Sequence, residues 1–579
     1  MLLPLLALLA CGTPKSGDSA APLPSTVPSD SSGDSGGSAP QDTAPQDTAP
    51  VDTSDTGVPD TAADTGPSDT GPALWRSLLY PSDWSPAFTD PSGAFLHDMS
   101  YAGYGASEIP LPVVTGPVFE VASYGADPSG TSDARAAIQA AIDAAGAAGG
   151  GVVHLPAGTY RCDDVLVVRH DGVVVRGDGP TATFVRFTRT SGMSDRAHLT
   201  FQGNLREGAD LLAARDLLTR SNVVELTDAS GLSVGQEVHV GWTITEAFIA
   251  EHGMTDTWVS FTGQWKPFFR RTITAIDTTA APARVTLDVP LRYAGKVRDG
   301  ASLRPVSGYL TEVGVEDLAV TTVTTWSEAW ALNRSHAVLL DGVKDGWVRD
   351  LASYAPPDAP DLLRDHLASG GIKVLNSRRV TIDHTTMEEP QNRGGGGNGY
   401  LFEVSRSNEV LTVDSTARSG RHNFIQNWDF GTSGCVWLRT RSEGGRSYLG
   451  DWDPVGYPSY SEYHHSLAVA NLVDQSWASD GWQGVNRQGE SSGAGHSATE
   501  NVFWNTAGAG YLRSLQYGLG YVIGTDGMNL HTDPAEWDWN QSGEGTDPAD
   551  WVEGIDAAAT LDPPSLFEDQ RARRLARAR

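Results

Sequence analysis

The stretch Ser123-Tyr-Gly-Ala-Asp-Pro-Ser-Gly-Thr-Ser-Asp133, an alanine-rich run over 134–145, and then Gly149-Gly-Gly-Val-Val-His-Leu-Pro-Ala-Gly-Thr-Tyr160 together decide the fold. The first part is turn chemistry ending in a residue suited to cap a helix, and the run after it sets Ile138 and Ile142 on one helical face. The glycine-bounded third part reads as a short strand. Apolar segments at 165–168 and 173–175, closed by Gly177 and Gly179, continue the series. A helix leading into short strands with glycine corners is expected at the start of a parallel β-helix, whose first coil would otherwise expose unpaired N–H and C=O groups.

The order of these pieces, over residues 119–187, resembles the opening of the pectate-lyase-type domain of rhamnogalacturonases, epimerase-like proteins and phage tailspikes. The resemblance implies an all-β chain: a single-stranded right-handed parallel β-helix with an N-terminal capping helix. It speaks for the fold far more than for a reaction, which has to be argued from side chains.

Farther along, Val315-Glu-Asp317-Leu-Ala, Val348-Arg-Asp350-Leu-Ala, Thr381-Ile-Asp383-His-Thr and Thr412-Val-Asp414-Ser-Thr recur at a spacing expected of solenoid coils. Each alternates apolar and polar positions, as a strand with one face in the core must. Residues 190–310 interrupt the pattern. Within them Val223–Leu226, 237–240, 270–276 and Ala283–Leu287 read as strands of an inserted β subdomain. Trp242, Trp258, Trp265, Phe268 and Phe269 concentrate there, as a sugar-stacking platform or, the preferred reading, as the subdomain's own core.

The expected organisation is a signal at 1–11, a tether at 12–73, an extension at 74–118 packing on the helix, the cap and first coils at 119–189, the insertion at 190–310, the main coils at 311–530, and a closing segment with a capping helix at 531–579. Leu8-Leu9-Ala10-Cys11-Gly12 resembles a bacterial lipobox, which implies lipidation at Cys11 and a place on the cell envelope, held to the membrane by a lipid anchor alone; a plain cleaved signal peptide is the alternative. The tether carries ten Asp and one Lys and has almost no apolar side chain to offset the entropy of ordering it. The whole chain has a net charge of -31, which argues against nucleic acid as a partner. Only Cys162 and Cys435 remain beyond Cys11, so no disulfide framework is expected.

Chemistry belongs on the outer surface, because the interior of such a solenoid is narrow and filled. Arg334-Ser-His336, Arg421-His422-Asn423, His464-His465 and Gly495-His496 each place His just before a strand, and equivalent side chains of stacked coils form ladders. His422, His465 and His496 on one face would suit acid/base work, with structural stacking as the bland alternative. Glu388-Glu389-Pro-Gln391-Asn392-Arg393, followed by four glycines, is a second candidate site.

The family resemblance implies a polysaccharide partner and β-elimination on a uronate. His422 or His465 would then be the base, Arg393 and Arg421 the carboxylate neutralisers, Tyr463 the proton donor and His496 a further catalytic candidate. Asn423, Glu389, Trp265 and Trp258 would bind substrate. Asp383 and Glu388, with Glu389 and Asp414, are candidate ligands for Ca2+, without diagnostic spacing. Polygalacturonase-like signatures are broken, since Ser497 follows Gly495-His496 and Gly371-Ile-Lys373 lacks the Arg. The alternatives are a glycoside hydrolase on the same scaffold and a non-catalytic glycan-binding or adhesion protein.

Overall fold

The computed structural model describes residues 73–357, 364–453, 455–533 and 549–577. Cys11, the signal, the tether up to residue 72 and Trp537 lie outside the described residues. The rest winds into a right-handed parallel β-helix, the hand that twisted strands with parallel crossovers require.

Three parallel ladders run the length of the solenoid. The first passes through Val118–Glu120, Gly151–Leu155, Val173–Gly177, Gly314–Thr321, Val343–Ser353 and Arg378–Asp383, and ends at Trp551–Glu553. The second starts at Ser129–Asp133 and Gly158–Cys162 and includes Thr386–Glu388, Thr416–Arg418 and Arg441–Glu443. Long strands such as Val343–Ser353 bend across both ladders and join them into one 20-stranded sheet. The third ladder is a separate 10-stranded sheet. In chain order it holds Leu166–Val168, Ala197–Gln202, His336–Asp341, Gly370–Leu375, Tyr400–Ser405 and His422–Gln426, then Ser461–Tyr463, Gly481–Gly484, Tyr511–Ser514 and Asn529–His531.

Inward residues stack between coils. Val315 pairs with Val348, and Val348 with Ile382, while Phe402 and Phe424 stack at 4.9 Å. Burying each such ring contributes about 1.5–3 kcal/mol. Helix Arg135–Ala147 closes the first coil, burying Ile138, Ala141, Ile142 and Ala145.

The corner between the first two ladders is a left-handed residue in successive coils: Asp317, Asp350, His384, Asp414, Arg439, Gln475 and Asn505, with φ between 46° and 59°. Asp tolerates that conformation better than most residues, which explains the recurring Asp. The repeat read from sequence slips by one at Asp383, which pairs with Arg349 and Val413 one residue before the corner. The coil leading to His384 is one residue longer than its predecessor.

The insertion is a seven-stranded sheet whose pairings are antiparallel, from Arg206–Glu207 to Ser302–Ser307. It includes Val223–Leu226 and Ala283–Leu287, and extends the other two expected strands to Glu237–Thr243 and Trp265–Asp277. Its start corrects the sequence boundary: Ala197–Gln202 is a β-helix strand, with Leu199 between Leu166 and Val338.

The segment after residue 73 does not pack on the capping helix, and the C-terminal helix Leu566–Arg577 does not cover the last coil. The two lie against each other on the outside of the first ladder. Tyr80 donates to Asp569 at 2.6 Å, the Met99 amide donates to Gln570, and Tyr104 packs edge-on against Trp347. Asp474 accepts from Ser565 Oγ at 2.8 Å and the Phe567 amide at 2.9 Å, anchoring the helix start.

Candidate functional site

The outer face of the third ladder is open and carries a groove of about 460 Å³. Its geometry follows from register. His336 pairs with Gly370 and Tyr400 with His422, so these four sit in one row on successive rungs. Gly370 brings no side chain to that row, and the His336 ring lies over it: a Cβ there would stand 2.6 Å from the ring. His336 and Tyr400 therefore face the groove from two rungs apart, about 9.6 Å at the backbone.

In the neighbouring row Lys373 pairs with Glu403. Buried Glu403 accepts from His336 Nε2 at 2.9 Å, Lys373 Nζ at 2.9 Å and Asn427 Nδ2 at 3.0 Å. Burial alone would raise its carboxyl, but the Lys373 ammonium and His336 hold it well below the usual range. In a neutral His336 ring, an Nε2–H donated to Glu403 leaves the lone pair on Nδ1.

Arg406 and Arg421 also line the groove, both half-buried. Among the described residues no carboxylate pairs with either, and Arg421 donates only to the Gly394 carbonyl at 3.2 Å. The Arg421 guanidinium lies 5.8 Å from the centre of the Tyr400 ring. Burial pushes the Tyr400 phenol up to about 12, opposed by Arg421.

Beyond Tyr400 lies a buried cluster. His422 Nδ1 meets the Tyr460 carbonyl at 2.6 Å and its Nε2 meets Glu462 at 3.1 Å; His464 Nδ1 bonds the same Glu462 oxygen. Burial pulls His422 down to about 4 and His464 to about 3. Both rings touch Tyr400, at 5.2 and 6.0 Å between centres.

Of the residues singled out in sequence, Arg421 lines the groove and His422 sits at its buried edge. The histidine ladder is corrected by one residue: His464, not His465, joins His422. His465 turns away, bonding Ser466 Oγ and the Ser491 carbonyl and lying under Trp428 at 4.3 Å, where burial takes it to about 4. His496 is buried elsewhere, against Tyr517 at 4.8 Å and Trp258 at 6.4 Å. Tyr463 points into the solenoid among Trp437, Trp482 and Phe503, so it has no route to a substrate. Arg393 is buried and spent on Glu389, Tyr448 and the Pro390 carbonyl, all within 2.7 Å. Asn423 is likewise internal, donating to Asp480 at 2.7 Å.

Trp242, Trp258, Phe268 and Phe269 of the insertion are core, and Trp265 is half-buried. Trp258 is fully buried and bonds the Ala494 carbonyl, while Trp265 bonds Ser302 and is covered by Arg304 at 3.7 Å. Asp383 and Glu388 do not converge: Asp383 lies on the first ladder beside His384 at 2.6 Å, and Glu388 on the second, paired with Arg418. Sequence reasoning passed over Tyr400 and Glu403, and quoted His336, His464 and Lys373 without giving them a role. The available signal was a charged residue at an outward strand position, Lys373 and Glu403, flanked by apolar ones.

Residues 118–243 match the family model described as rhamnogalacturonase A/epimerase, pectate lyase-like. Mannuronan C5-epimerase AlgE1 of Azotobacter vinelandii is 49% identical over 75 residues, 12% of this chain and 5% of that protein. AlgE6 of the same organism is 36% identical over 130 residues, 20% of this chain and 14% of that one. The chain thus spans only a small part of these curated relatives. The tailspike gp49 of Pseudomonas phage LKA1 aligns over 72% of this chain and 81% of its own at 13% identity, with a TM-score of 0.37.

Proposed function

We propose that the groove binds a uronate-containing polysaccharide and cleaves it by β-elimination. The observation that carries this reading is that the groove-lining guanidiniums Arg196, Arg406 and Arg421 have no carboxylate partners among the described residues of a chain with net charge -31. Uncompensated cations on an acidic protein suit an anionic ligand. In the proposed reaction Lys373, Arg406 and Arg421 neutralise the C6 carboxylate, which acidifies the C5 proton. His336, oriented by Glu403, takes that proton at Nδ1. The electron pair forms the C4–C5 double bond, the C4–O4 bond breaks, and the Tyr400 phenol protonates the leaving oxygen. Proton transfer of this kind contributes about 10²–10⁴-fold.

C5 epimerisation is the second reading, favoured by the names of the partial relatives. It shares the first step and differs in returning a proton to the opposite face of C5. Incubation with a panel of uronate and neutral polysaccharides separates the readings. Lyase activity gives new ultraviolet absorbance from unsaturated ends along with new reducing ends. Epimerisation gives solvent deuterium at C5 without cleavage, and hydrolysis gives reducing ends alone. No turnover of any uronate polymer would remove the enzymatic reading.

The lipobox-like segment supports anchoring at the cell envelope through Cys11. On that reading Cys11→Ala releases the protein from membranes, since no other acyl site is invoked; unchanged membrane association overturns it.

A further inference from the structure

Among the described residues, His422, Glu462 and His464 each bring a ligand atom to within 4.8 Å of the others, and all three are buried. The hydrogen bonding around His422 is not completed by protein groups. Its Nδ1 lies 2.6 Å from the Tyr460 carbonyl oxygen, which can only accept, so Nδ1 carries the proton. In the neutral ring Nε2 then bears a lone pair. The atom facing it at 3.1 Å is a Glu462 carboxylate oxygen, a second acceptor. Two acceptors opposed in a buried site call for a cation.

We propose that this cation is a first-row transition-metal ion, Zn2+ foremost, held by His422 Nε2, Glu462 and His464 Nδ1. The surroundings are those of a metal-bound imidazole: an Nδ1–H donated to a backbone carbonyl fixes the tautomer and aims Nε2 at the ion. The other Glu462 oxygen is held by Gln483 Nε2 at 2.6 Å, with Arg487 at 3.9 Å, which leaves the first oxygen to ligate. His464 Nδ1 hydrogen-bonds that first oxygen. To ligate, it passes its proton to Nε2, where Ser491 Oγ stands 3.4 Å away as an acceptor, so no net proton leaves. Two imidazoles and a carboxylate are a zinc donor set with a fourth position left over. They do not suit calcium, which takes six to eight oxygens. His464 lines the groove, which gives the ion a way in.

None of the three ligands is His336 or Tyr400, so the site stands or falls apart from the proposed reaction. The test is calorimetric titration of the full, tag-free chain, stripped with chelator, with ZnCl2 and in parallel with CaCl2. The expected result is one zinc per chain at sub-micromolar affinity, no calcium counterpart, and a loss of about 100-fold or more in Glu462→Gln, with folding checked by circular dichroism. Should that variant not fold, Co2+ added to the wild-type chain gives an independent reading: intense visible bands of a tetrahedral site, displaced by one equivalent of Zn2+. Absent zinc binding, or zinc binding equally tight in folded Glu462→Gln, overturns the proposal. A His422 ring protonated on both nitrogens in ¹⁵N spectra with Zn2+ present would assign the position to a proton instead.

Discussion

The outer faces of the first and third ladders are built by the same pleat and end in opposite states. Over the first lie the insertion, the segment after residue 73 and the C-terminal helix, and its outward charges are sealed into ion pairs. Glu409 meets Arg271 at 3.1 Å and Arg292 at 2.6 Å, and Arg378 meets Asp288 and Glu237 at 2.5 and 3.0 Å; Glu409 and Arg378 are both fully buried. Over the third nothing comparable is laid, and Lys373, Arg406 and Arg421 line a groove. A strand sends every second side chain outward regardless of purpose. What the rest of the chain lays over the sheet decides whether an outward charge becomes a fastener or a binding group.

The largest expected effects contrast the two faces directly. Glu409→Gln leaves two buried guanidiniums without their partner and should destabilise the fold by about 3–5 kcal/mol. Arg421→Ala should move the melting transition by only about 0.5 kcal/mol while abolishing uronate binding. Equal melting shifts in the two variants would erase the distinction between the faces. On the open face, Tyr400→Phe should lower turnover about 100-fold or more with the melting temperature nearly unchanged.

A middle-sized effect concerns the clamp on the C-terminal helix. Burial raises the Asp474 carboxyl to about 7, so the folded state holds a proton that the unfolded chain releases near 3.8. The contribution is complete below that lower value and is lost as pH rises through about 7, the reverse of a salt-bridged carboxylate. The protection factors for hydrogen exchange in Leu566–Arg577, with the intrinsic pH dependence of exchange divided out, should therefore fall as pH rises from about 4 to about 7, and Asp474→Asn should flatten the change. A pH-independent wild type would contradict the clamp. The smallest effect is expected of Gly370→Ala: its new methyl displaces the His336 ring, lowering turnover about tenfold for about 1 kcal/mol or less of stability.

The elements legible in sequence were those whose signal is local. The capping helix, Val223–Leu226 and Ala283–Leu287 each follow from periodicity and turn residues within a dozen positions. The groove is not local, because its row of His336, Gly370, Tyr400 and His422 joins residues on coils of unequal length. Alternation adds a second difficulty, since a slip of one residue exchanges inside for outside. Tyr463, read as a proton donor, is a core ring one residue from outward Glu462, and His465 stands one residue from His464 in the same way. Arg393 misled for another reason: a loop rich in charge and glycine reads as an open site, yet its charges satisfy one another.

The central claim, that the uncovered third ladder is the working face, is met most directly by a crystal structure of Tyr400→Phe with a uronate oligosaccharide. The sugar should lie along the third ladder, with one ring against His336 and residue 400, and its carboxylate against Lys373, Arg406 or Arg421. A sugar bound instead on the first ladder's coverings, or only in the hollow of about 600 Å³ beside Arg169, His170 and Tyr309, would contradict the account.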